Sequence, residues 1–118
     1  MKRTLIFWFW NDVLEKDEIH RQIQEMHSRG VECFLIHPLA DEFRREDFHG
    51  AMPGYLSDNY FEMVRYAVEC AAELDMEVWL YDEGGWPSGM ANGFIKSCRP
   101  DLMHRQITRT GEIKTDEV

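Results

Sequence analysis

The strongest constraint in this chain is an alternation. Three short apolar runs, Leu5 to Trp10, Val31 to Ile36 and Met76 to Tyr81, are separated by two segments of helical length and pattern. Apolar runs this short, without polar alternation, read as strands buried on both faces. Within Glu15 to Arg29, Ile19, Ile23 and Met26 recur at helical spacing, acidic residues fill the first turn, and Gly30 supplies the stop. Ser57 caps a second helix running from Asp58 to about Leu74, with Phe61, Val64, Val68 and Ala71 as its expected buried stripe. A β-α-β-α-β order predicts an α/β fold with parallel strands and right-handed crossovers.

Composition narrows the class. At 118 residues the chain is one domain at most, and 44% hydrophobic residues are enough for a core. A formal net charge of −9 argues against nucleic acid as a partner, since phosphate contacts need a basic face. Neutral ligands such as sugars, or cations, remain compatible. Cys33, Cys70 and Cys98 are widely spaced and form no Cys-x-x-Cys pair, so neither a zinc knuckle nor a redox motif is indicated. Cys33 and Cys70 read as buried thiols, and reduced cysteines suit a cytoplasmic setting. The start, Met1-Lys2-Arg3 and then Thr4 to Trp10, resembles a signal peptide only superficially: its apolar part is short and bulky and runs into Asn11-Asp12. It reads as the first strand. Nothing approaches the roughly 20 apolar residues of a membrane span.

Chemistry collects where the strands end. The first closes in Trp10-Asn11-Asp12, the second in His37-Pro38, and the third in Tyr81-Asp82-Glu83 followed by the turn Gly84-Gly85-Trp86-Pro87-Ser88-Gly89. Parallel strands bring these ends to one edge of the sheet, which is where α/β folds carry their sites. Each residue also has a plainer reading. His37 could be a structural histidine, Asp82 a turn cap, and Trp86 a core plug. Asp82 and Glu83 are the candidate catalytic carboxylates. Strand alternation lets only one of them face a given site, and glycoside cleavage needs two carboxylates about 5–10 Å apart. Asp12, or Asp41 or Glu42 in the long loop from Leu39 to Leu56, is a candidate partner. A metal site from His37, Asp82 and Asp12 or Asp41 is a weaker alternative, because its spacing is not specific.

Several of these stretches together resemble a family. Phe7-Trp8-Phe9-Trp10-Asn11, Glu18-Ile19-x-x-Gln22, Phe34-Leu35-Ile36-His37-Pro38, Tyr55-Leu56-Ser57 and Val78 to Gly89 look like the opening of bacterial glycoside hydrolases similar to family 106 α-L-rhamnosidases. The resemblance covers roughly residues 5 to 95. It implies a TIM barrel, a carbohydrate substrate, carboxylate-based hydrolysis and, for some members, Ca²⁺.

The combined expectation is the first three βα units of a (β/α)8 barrel over residues 1–95, with an irregular or hairpin tail over 96–118. A complete barrel takes roughly 250 residues, and its catalytic carboxylates generally come from later strands. The chain is therefore expected to bind glycosides through Trp10, Asn11, His37, Tyr81, Asp82, Glu83 and Trp86 and to be inactive alone. The alternative is a non-catalytic assembly module that pairs with itself or another chain, since an open sheet leaves edges and an apolar face uncovered.

Overall fold

The computed structural model describes residues 4–41, 52–85, 88–89, 95 and 98–102. Within them the chain runs β1 (Leu5–Trp10), α1 (Lys16–Ser28), β2 (Cys33–Pro38), α2 (Asp58–Ala72) and β3 (Glu77–Leu80), with a short 3-10 turn at Pro100–Leu102. The strands form one parallel sheet in chain order, β1-β2-β3. This is the α/β, βαβαβ arrangement the alternation predicts. The tail expected to form a hairpin, from Met103 to Ile113, lies outside the described residues.

Both helices lie on the same face of the sheet. Trp8 and Trp10 of β1 and Phe34 and Ile36 of β2 pack in one cluster with Ile19 and Ile23 of α1 and Tyr60, Met63, Ala67 and Ala71 of α2. The aromatic members meet edge to face: Trp8 lies 5.4 Å from Trp10 and 5.3 Å from Phe34, at 88° and 90°. Such pairs add about 0.5–1.5 kcal/mol beyond the area they bury.

The helices begin and end as their sequences direct. Ser57 Oγ accepts from the Tyr60 amide, satisfying one orphan donor of α2. α1 ends with Gly30 at φ +80, and the Val31 amide reaches back to the Met26 carbonyl. α2 repeats this closure with Asp75 at φ 54 and the Met76 amide on the Ala71 carbonyl. The left-handed residue lets the chain turn back toward the sheet while the last carbonyls stay satisfied.

Three expectations need correction. β1 and β3 are not buried on both faces: Phe7, Phe9 and Trp79 are about half exposed, and only β2 is buried along its whole length. The cause is that among the described residues a layer covers only the helix side. The stripe of α2 is also rotated by about one residue. Phe61 and Val68 are exposed, whereas Tyr60, Met63, Ala67 and Cys70 join Ala71 in the interior. Small side chains at 67 and 71 let the helix approach the sheet closely, and Tyr60 reaches the edge of Trp10. Finally, β2 begins at Cys33 and takes in His37 and Pro38, which pair in register with Phe9 and Trp10. A terminal proline costs the ladder little, and the next amide, of Leu39, donates to the Trp10 carbonyl.

Phe34 is the centre of this packing and has no solvent exposure. Phe34→Ala should lower unfolding stability by about 3–5 kcal/mol, read from the denaturant midpoint. A loss below about 1 kcal/mol would mean that the cluster does not carry the fold.

Candidate functional site

The C-terminal edge of the sheet is tied together by the backbone. The Leu39 amide donates to the Trp10 carbonyl at 2.9 Å, and the Tyr81 amide to the Ile36 carbonyl at 2.9 Å. The Ala40 amide donates to Gly84 at 2.7 Å, so the chain leaving β2 is bonded to the chain leaving β3. A second tie brings in the far end of the long loop, where Ala40 and Met52 form a parallel bridge. All three strand ends are therefore joined.

On the face away from the helices the rings at this edge form a row. His37 stacks on Tyr81, with centroids 4.1 Å apart and planes inclined by 15°. On its other side it meets Phe9 at 5.1 Å and 40°, and Phe9 stacks on Phe7 at 6.0 Å and 19°. The row follows from strand register: Phe9 is the partner of His37, and Tyr81 follows directly from β3 beside it. His37 is almost fully buried, Tyr81 is half-buried and Phe9 is exposed.

The two carboxylates take different positions in the bend that follows β3, beyond the strand whose alternation was expected to separate them. Asp82 is exposed. Glu83 is 3% exposed and turns inward, where its oxygens accept from the Gly84 amide at 3.4 Å and the Gly89 amide at 3.2 Å. That carboxylate holds the start and end of the following turn together. Nearby, the Tyr55 phenol is held above its ordinary pKa, first by burial and then by the negative charges of Glu83 and Asp82. It therefore stays protonated across the physiological range and can act as a hydrogen-bond donor at this edge. Its ring lies 5.1 Å from Tyr60, which links the edge to the core.

The other candidate residues separate from this row. Trp10 lies on the helix face, packed at 6.1 Å against Tyr60, and is 3% exposed. It is one residue away from the parity that would place it beside His37. With Asn11, Asp12, Glu15 and Gln22 it lines a cavity of about 500 Å³ at the end of β1. Its indole Nε1 has no hydrogen-bond partner among the described residues. Asn11, Asp12 and Asp41 are exposed, and the Asp12 carboxylate accepts from the Val13 amide at 2.7 Å. Trp86 and Glu42 lie outside the described residues. Among the described residues no three His, Cys, Asp or Glu side chains come together as metal ligands. No described helix is long and apolar enough to cross a membrane.

Phe9, Tyr55 and Gly84 belong to this edge without having been singled out from the sequence. Gly84 is the tightest point. A Cβ there would fall 2.7 and 2.8 Å from ring carbons of Tyr55 and 3.0 Å from the Ala40 Cβ. Gly84→Ala should therefore cost about 1–3 kcal/mol and shift the Tyr55 ring off Tyr60. Urea unfolding with near-ultraviolet circular dichroism reads both effects. An unchanged midpoint and aromatic spectrum would show that this approach is not close.

No family model, no curated protein and no solved structure matches this chain.

Proposed function

We propose that this chain carries the sugar-binding edge of a glycoside-hydrolase-like barrel, similar to the α-L-rhamnosidases. The observation that carries the reading is the row Phe9–His37–Tyr81 at the C-terminal edge, with the exposed Asp82 next in the chain after Tyr81. Flat rings offer apolar faces to the C–H faces of a pyranose, and an adjacent carboxylate and phenol take its hydroxyls. A net charge of −9 fits a neutral ligand better than an anionic one.

The reading is binding rather than cleavage. Hydrolysis needs two carboxylates on opposite sides of the bond, and Glu83 is turned inward onto backbone amides. Asp82 alone gives a hydrogen-bond acceptor. The purified chain should bind L-rhamnose or a related neutral monosaccharide with a Kd of roughly 1 mM, about −4 kcal/mol. Tyr81→Ala should weaken this at least about tenfold, about 1.4 kcal/mol, in an NMR shift titration. Aryl rhamnosides should not be turned over. Measurable turnover abolished by Asp82→Ala, or binding indifferent to Tyr81→Ala, would overturn the reading.

A second reading, an assembly module, is favoured by one specific observation. Phe7, Phe9 and Trp79 stand about half exposed on the face without helices, and large exposed apolar patches mark interaction surfaces. Under that reading the chain self-associates in light scattering, and Phe7→Ser with Trp79→Ser restores the monomer. A wild-type monomer at micromolar concentration would exclude it.

A further inference from the structure

A second cluster of reactive groups lies on the opposite side of the molecule, in the seam between α1 and α2. Cys70 of α2 points into that seam and is 7% exposed. Its Sγ lies 3.7 Å from Nδ1 of His20 on α1. One turn before it stands Tyr66, and the neighbouring Cys70 side chain is the first cause that raises its phenol above the ordinary range. Burial acts in the same direction, followed by the charges of Cys70, Asp17 and Glu73. Lys16, paired with Glu62, stands over the Tyr66 ring at 5.6 Å. The seam thus presents Lys16, Asp17 and His20 from α1 and Glu62, Tyr66 and Glu73 from α2 and its end.

The roles of the three groups fit one another. Nδ1 of His20 is the ring nitrogen within reach of the thiol, and in the tautomer protonated on Nε2 it can accept the thiol proton. A thiol with a base and a phenol as neighbours is an arrangement that activates a cysteine nucleophile. His20 is exposed, so the base is accessible to solvent. Nothing in the sugar-binding reading uses these residues.

We propose that Cys70, His20 and Tyr66 form a thiol modification site that reacts with small hydroperoxides. As Sγ attacks the outer oxygen of ROOH, Nδ1 of His20 takes the thiol proton. The S–O bond forms and the O–O bond breaks. Sulfur gives up two electrons and the peroxide receives them. The departing alkoxide takes the proton back from the imidazolium, so thiol and hydroperoxide become sulfenic acid and alcohol. Tyr66 donates to the sulfur and positions it beside the base.

The other two cysteines serve as internal references: Cys33 is buried in β2, and Cys98 is exposed. The native chain is treated with limiting hydrogen peroxide, trapped with a sulfenic-acid-specific dione, and mapped by peptide mass. Cys70 should be trapped at least about tenfold faster than Cys98, as general-base assistance allows. His20→Ala and His20→Asn should remove that advantage while leaving the Cys98 rate unchanged. Tyr66→Phe should slow Cys70 severalfold. Circular dichroism confirms that each variant is folded, and the Cys33 rate reports any opening of the core. Trapping of Cys70 no faster than Cys98, or at the Cys33 rate, would overturn the proposal. So would a Cys70 rate unchanged in both folded His20 variants.

Discussion

The structure depends on the fact that its strands lie in the sheet in the order in which they occur in the chain. Parallel strands laid down in that order, each joined by a crossover of the usual hand, place every helix on the same side. A doubly wound fold reverses direction partway and covers both faces. Here α1 and α2 both pack on Trp8, Trp10, Phe34 and Ile36, and Phe7, Phe9 and Trp79 lie on the other side. The two faces therefore have different physical roles. One supplies the hydrophobic stabilisation of the domain. The other presents half-exposed rings that contribute little until something covers them, and it is this face that carries the row at the strand ends.

The edge where those rings stand is fixed by main-chain bonds more than by side chains. Ties from Leu39 to Trp10, from Ala40 to Gly84 and from Tyr81 to Ile36 join all three exits. Gly84 permits the closest of these approaches, because Tyr55 occupies the space a side chain would need. Glu83 adds to the same function by bonding the amides at both ends of its turn. Side chains set on such a scaffold would need little ordering if a ligand arrived.

The number and type of the elements were legible because the period changes cleanly, from unbroken apolar runs to residues spaced at three and four. Their faces were less so. β1 carries aromatic residues at every position from 7 to 10, so no polar alternation distinguishes the helix side from the open side. Trp10 was placed with His37 on the ground that both end a strand. Register confirms that they are neighbours in height, but parity puts them on opposite faces. In α2 two sets of residues have helical spacing, one led by Phe61 and one by Tyr60. The set that won holds Ala67 and Ala71, whose small size matters only once a sheet lies beneath them. His37 and Tyr81 were legible as companions because each follows an apolar run, and parallel pairing aligns such ends. Phe9 was hidden inside a run in which every residue looked alike.

The difference between Asp82 and Glu83 bears directly on what this edge can do. Two adjacent carboxylates look like an acid and a base, but they lie in the bend beyond the end of β3 at Leu80, which turns them different ways. Glu83 is drawn into the turn and bonded to amides, whereas Asp82 is exposed. Releasing Glu83 to face a substrate would break its amide bonds and expose the turn it closes, so its structural role and a catalytic role would compete. A sugar resting on Tyr81 would have one exposed carboxylate beside it in the chain, that of Asp82. A carboxylate is a hydrogen-bond acceptor and can orient a hydroxyl. It supplies orientation, and by itself it cannot supply the second charged group that breaking a glycosidic bond demands.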